Sequence, residues 1–183
     1  MGRYVDLSHR ISGGDTEPWP ATQVVAPFQH DPNRADIAAL PPERLVDVPV
    51  EIVHMVGAVV VTAAELGPPD RFWGRAVLVH TGWSRDWGTA AYQTGAPYLA
   101  TSAIEALVDA NVAVVGIDSY ADDVAATARP AHERLLGNDV PILEHLTNLG
   151  RLPIVGARLF ALPAPTVGIG SAPVRAVAVL QPV

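Results

Sequence analysis

Ser102-Ala-Ile-Glu-Ala-Leu-Val-Asp-Ala-Asn111-Val-Ala-Val-Val-Gly-Ile-Asp118 decides the fold class. Its first half places Ile104, Leu107 and Val108 at the spacing of one helix face, and Ser102 with Glu105 reads as a capping box opening that helix. Asn111 stops the helix. Residues 112–117 then form a nearly all-apolar run, the pattern of a strand buried on both faces.

Working outward, residues 75–81 (RAVLVHT), 58–62 and 50–54 read as strands because β-branched residues dominate them. Downstream, a short helix is expected over 132–136, stopped by Gly137-Asn138, with strands at 158–162 and 174–180. Between them, Pro141-Ile-Leu reads as a buried turn leading to Glu144 and His145. A short strand is expected at 4–7. The rest of residues 1–43 is Pro-rich (Glu17-Pro18-Trp19-Pro20, Ala26-Pro27, Asp31-Pro32) and reads as extended and irregular. Strands alternating with helices over 1–183 indicate a single α/β domain with a mixed sheet.

Composition narrows the function classes. The chain has 183 residues, 49% hydrophobic and 17% charged, enough for one sizeable core and too apolar for disorder. A net charge of −7 argues against nucleic acid or an anionic membrane as partner. Cysteine is absent, which removes disulfides, thiolate metal sites and a cysteine nucleophile. All 12 basic residues are arginine, so lysine Schiff-base chemistry is also removed. No apolar run has membrane-spanning length and no signal-like segment opens the chain, so a cytoplasmic protein is expected.

The chemistry-bearing residues are few. Gly168-Ile-Gly170 has dinucleotide-type spacing, but Pro173 stands where a third glycine belongs and a strand follows, so a simple turn is expected. No G-x-S-x-G elbow occurs, and no H-E-x-x-H occurs among the six histidines. Asp118, Asp122 and Asp123 sit just beyond the C-terminus of a buried strand, where α/β proteins place their ligand crevice. Trp73, Trp83, Trp87, Tyr92 and Tyr98 cluster on loops where large rings cover a ligand or a partner.

Several segments together carry a resemblance. They are Asp6-Leu-Ser-His9, His80-Thr-Gly-Trp83, Val115-Gly-Ile-Asp118-Ser119, Pro130-Ala-His132-Glu-Arg-Leu-Leu136-Gly-Asn138, Pro141-Ile-Leu-Glu144-His-Leu-Thr-Asn148 and Ser171-Ala-Pro-Val-Arg-Ala-Val177. In this order they resemble the cyclase family that includes bacterial kynurenine formamidase and isatin hydrolase. The resemblance implies a swivelling β/β/α fold, a homodimer, and a divalent-metal site built on a His-x-Gly-Thr-His-x-Asp-x-Pro-x-His segment. A later His and Glu complete that site, and His132 and Glu144 match them. Aligned on Ala26-Pro27-Phe28, the early segment departs: Trp19, Gln23 and Val25 stand at the three ligand positions and Gln29 at the last His, with His30 one place further on.

Those substitutions lead to the expectation that no metal and no cofactor is held. Trp19, Val25, Phe28 and Trp83 would then line an apolar pocket for a hydrophobic small molecule, with Gln23, Gln29, His30, Asp118 and Ser119 as its polar contacts. His132 and Glu144 would transfer protons, and Tyr120 would hydrogen-bond a carbonyl. The function expected on this basis is a metal-free cyclase or isomerase acting on a polyketide-like intermediate of antibiotic-type metabolism. The alternatives are a metal-dependent amide or lactam hydrolase using His30, His132, Glu144 and an Asp, and a non-catalytic ligand-binding derivative.

Overall fold

A computed structural model of the protein describes residues 3–12 and 19–181; Glu17 and Pro18 of the Pro-flanked segment lie outside it. The described strands are β1 (Arg3–Asp6), β2 (Gln23–Val25), β3 (Val46–His54), β4 (Val60–Val61), β5 (Ala76–His80), β6 (Tyr98–Leu99), β7 (Val114–Ile117), β8 (Ile142–Glu144), β9 (Ala157–Phe160), β10 (Ser171–Pro173) and β11 (Val177–Leu180). Two α-helices, α1 (Ala63–Leu66) and α2 (Thr101–Asp109), accompany them among the described residues, with short 3-10 and π-helical turns between. Nine strands make one mixed sheet in the order β1-β11-β9-β3-β5-β7-β8-β2-β10, while β4 and β6 pair separately. At its centre β3, β5, β7 and β8 run parallel, and antiparallel strands continue the sheet on both sides. The fold is thus α/β with a mixed sheet, as the sequence pattern indicates.

Alternation along the central strands builds two cores. Val50, Ile52, Leu78, Val114 and Leu143 face one way, and there they meet Val5, Leu159 and Ala178 from β1, β9 and β11, so the sheet curls over its own apolar face. Val53, Val77, Val79, Val115, Ile117 and Ile142 face the other way, against Ile104 and Leu107 of α2 and Leu135 and Leu136. Burial on both faces explains the continuous apolar run at 112–117. Each fully buried Val, Leu or Ile contributes about 1.5–3 kcal/mol.

Several expected boundaries shift for physical reasons. The helix begins at Thr101, so Ser102 lies inside it and its Oγ instead accepts from Ala63 N at 3.3 Å. The capping box belongs to Thr62 and Glu65, at the start of α1. The strand expected over 174–180 divides. Pro173 has no N–H to continue a ladder, and Ala176 N donates to Ser8 Oγ, so β10 pairs β2 at one end of the sheet and β11 pairs β1 and β9 at the other. Strand β3 starts earlier than expected, because a bulge at Asp47 (φ 56°) lets Val46 and Val48 both pair with β9. Pro141-Ile-Leu is a strand entry, since β8 is inserted between β7 and β2.

Candidate active site

Parallel strands deliver β7 and β8 to the same edge of the sheet, and the candidate site lies there. Glu144 ends β8 and is paired in register with Gln23 of β2. Its carboxylate is 4% exposed; Oε1 accepts from Ala121 N at 2.9 Å and Oε2 from Gln23 Nε2 at 3.1 Å. The expected short helix at His132–Leu136 is a π-helical turn. It presents His132 beside Asp122, which is 1% exposed. Asp122 Oδ1 accepts from Ala131 N at 2.7 Å, while Oδ2 accepts from His132 N at 3.2 Å and meets His132 Nδ1 at 2.6 Å. A carboxylate only accepts, so Nδ1 carries the proton and Nε2 is left for the cavity.

That cavity, about 410 Å³, is lined by Gln29, His30, Tyr120, Arg129, His132, Glu133 and Glu144. Gln29 is seated by a close approach: a Cβ at Gly170 would lie 2.5 Å from Gln29 Oε1 and 2.7 Å from its Cα. Tyr120 stands edge-on to the buried ring of His145, with centroids 4.7 Å apart, and its hydroxyl has no hydrogen-bond partner among the described residues.

Electrostatics separate the roles. Burial pulls the His132 pKa down, but the Asp122 hydrogen bond and the charges of Glu144 and Asp122 outweigh it, so the net shift is upward. His145 moves the other way: burial lowers its pKa and Glu144 only partly offsets this, which keeps the ring neutral. Burial, and then the Glu144 charge, raise the Tyr120 pKa, so its phenol stays a donor.

The structure brings together His132, Glu144, Tyr120, Gln23, Gln29 and His30. It does not bring in the others expected to contact a ligand. Asp118 is fully buried and accepts from Thr81 N (2.8 Å), Thr81 Oγ1 (2.6 Å) and Gly82 N (2.8 Å), so it organises the loop after β5. Ser119 Oγ donates to the carbonyl of Pro97. Val25 is buried in the core on the α2 face, and neither Trp19 nor Phe28 lines the cavity. Trp83 Nε1 donates to Tyr92 O, Trp87 stacks on His9 at 4.4 Å, and Tyr92 is wholly buried, so these rings pin loops together. The expected apolar, aromatic pocket is therefore corrected to a polar, charged one.

Arg129 and Glu133 carry no signal in the sequence that ties them to the site. Asp122 carries one, its position beyond β7, but nothing in the spacing separates it from Asp118 and Asp123.

The residues present can be tested against the divalent ion that the resemblance implies. Val25 has no donor atom, and Gln23 turns its amide N–H towards Glu144. Both oxygens of Glu144 already accept hydrogen bonds. Among the described residues no three His, Asp or Glu side chains are placed to hold an ion. A hydrolytic zinc-type centre takes three such ligands and a water, so the donors around Glu144 and His132 do not fit one.

Residues 5–124 match the family model described as "Putative cyclase". The chain is 31% identical over 176 residues to a kynurenine formamidase of Paracidovorax citrulli, covering 91% of this chain and 78% of that protein. The fold matches isatin hydrolase A from Labrenzia aggregata bound to benzyl benzoate, with TM-score 0.85 and 21% identity over 99% of this chain and 94% of that one. It equally matches a structure titled a potential metal-dependent hydrolase with cyclase activity, with TM-score 0.84 and 21% identity over the whole of both chains. Relatives named for hydrolysis overturn the expected metal-free cyclisation or isomerisation of a polyketide-like intermediate. Its premise, an apolar lining around His132 and Glu144, is not met by the residues of that cavity. By the family-model match and by the identity shared with the formamidase, the chain belongs to the cyclase family.

Proposed function

We propose that the chain hydrolyses a C–N acyl bond, in an amide or lactam, of a polar small molecule. The observation that carries this reading is the 2.6 Å contact between Asp122 and His132 Nδ1, which aims the second ring nitrogen at a polar cavity beside Glu144. The names of the relatives, a formamidase and an isatin hydrolase, support the same bond type. Among the described residues no serine lines the cavity, and the sequence has no cysteine, so water attacks. His132 Nε2 takes a proton from water as its oxygen bonds to the carbonyl carbon. The imidazolium then returns that proton to the leaving nitrogen as the C–N bond breaks. Such positioned proton transfer contributes roughly 10²–10⁴-fold.

Tyr120, protonated and without a protein partner, donates to the carbonyl oxygen as charge builds on it. One such donor is worth roughly 10²–10³-fold in kcat. Glu144, fixed by Ala121 and Gln23, supplies the charge that stabilises the imidazolium. The Arg129 guanidinium lies at the exposed rim.

The test is to incubate purified protein with aryl formamides and with isatin and follow the products by chromatography and mass. Formate plus free amine, or a ring-opened carboxylate, is expected, with turnover abolished in His132→Ala. Rearranged product of unchanged mass, or hydrolysis that survives His132→Ala, overturns the reading. The homodimer and cytoplasmic location implied at the sequence level go with this proposal; sedimentation of the native chain reads the first.

A further inference from the structure

His54 and His80 are the last residues of the adjacent parallel strands β3 and β5 and are partners in register. Their side chains meet with Nδ1 to Nδ1 at 3.0 Å and rings inclined at 79°. The His80 ring is wedged: a Cβ at Gly150 would lie 2.9 Å from its Cε1, so only glycine leaves it this seat. Asp118, wholly buried, holds a carboxylate within electrostatic reach of His80. His54 is exposed, so the pair opens to solvent on one side. Neither ring lines the cavity of the candidate active site, and the proposed hydrolysis uses neither.

Two neutral imidazoles at this separation share one proton, and with both protons on Nε2 the two Nδ1 atoms turn lone pairs to a common point. Metal–nitrogen bonds of about 2.0–2.1 Å spanning the gap would subtend roughly 90–95° at the ion. That angle suits cis positions on a tetragonal ion and is narrow for a tetrahedral one. We propose that His54 and His80 form a two-imidazole site for a Cu(II)- or Ni(II)-type divalent ion, its remaining positions filled by solvent. Binding shifts the shared proton from Nδ1 to the free Nε2 of the same ring, and because a protonated imidazole cannot ligate, affinity rises with pH. The fixed ring of His80 lowers the ordering cost, and the Asp118 carboxylate favours the arriving charge.

Calorimetric titration of the metal-free full chain with NiCl2 and with CuSO4 tests this, with electron paramagnetic resonance on the copper sample. One ion per chain is expected, with two imidazole nitrogens in the copper spectrum. His54→Ala and His80→Gln should each weaken binding at least as much as the roughly 10–100-fold lost with an outer-shell partner. His132→Ala should leave binding unchanged. No saturable binding, binding indifferent to His54→Ala, or binding lost in His132→Ala would each overturn the site. His54 is at the surface, so His54→Ala keeps the test valid if His80→Gln fails to fold.

Discussion

At the scale of single residues, the site depends on which aspartate does what. Asp118 and Asp122 lie four residues apart beyond one strand, both buried, yet the first ties down backbone and the second holds an imidazole. Asp122→Asn keeps the shape but lets the amide offer N–H to Nδ1, which favours the wrong tautomer. It also removes the charge that raises the His132 pKa. A His whose folded pKa is raised gives stability that is complete below about 6.5, its unfolded value, and lost as pH climbs through the folded value. NMR titration should therefore show the His132 pKa falling in Asp122→Asn. The alkaline rise of activity, where Nε2 becomes a base, should move to lower pH while the plateau drops about 10²–10⁴-fold. An unmoved His132 titration would remove Asp122 from the positioning role.

At the scale of elements, the long strands were legible and the short ones were not. Residues 75–81 and 112–117 announce themselves because buried parallel strands need unbroken apolar runs. Strands β2, β8 and β10 have three residues each, too few for any period, and exist because their backbones pair. Those three strands build the site: β8 carries Glu144, β2 carries Gln23, and β10 follows the turn that seats Gln29. His132 and Glu144 were legible only through the family resemblance, and Asp122 only as one of three aspartates. The expected aromatic pocket failed because Trp83 and Trp87 donate to backbone carbonyls and hold loops together, while Trp73 faces solvent. The close packing at β10 yields a second prediction. In Gly170→Ala the new methyl meets the Gln29 backbone, which cannot rotate aside, so the turn over Pro27–Gln29 must shift. A loss of about 1–3 kcal/mol in urea unfolding is expected. KM should rise with it, because Gln29 lines the cavity; a fall in stability with KM unchanged would separate Gln29 from substrate binding.

At the scale of the whole molecule, two opposing forces act on acidification. The net charge is −7 at pH 7 and the isoelectric point about 5.2, so lowering the pH towards 5 relieves overall repulsion and favours the compact state. Three histidines act against this. Burial lowers the His80 pKa. Burial, and then His145 once that ring is itself protonated, lowers the His9 pKa from 6.5 to about 4. Burial also lowers that of His145, which is 1% exposed and bonded through Nδ1 to the Tyr92 hydroxyl at 2.9 Å. Below about 6.5 the unfolded chain protonates all three rings and the folded chain does not, so stability is full above that pH and drains away as pH falls towards the folded values. His132 works in the opposite sense but above this range, its contribution being complete by about pH 6.5. Three rings therefore lose between about pH 6.5 and pH 5 with His132 gaining nothing there, so the urea midpoint should fall from pH 7 to pH 5, where most carboxylates are still ionised. Replacing two of them, as His9→Gln with His145→Gln, leaves only His80 against the shrinking net charge, so the slope should flatten or reverse. A wild-type midpoint that climbs towards the isoelectric point would mean that net charge outweighs these rings.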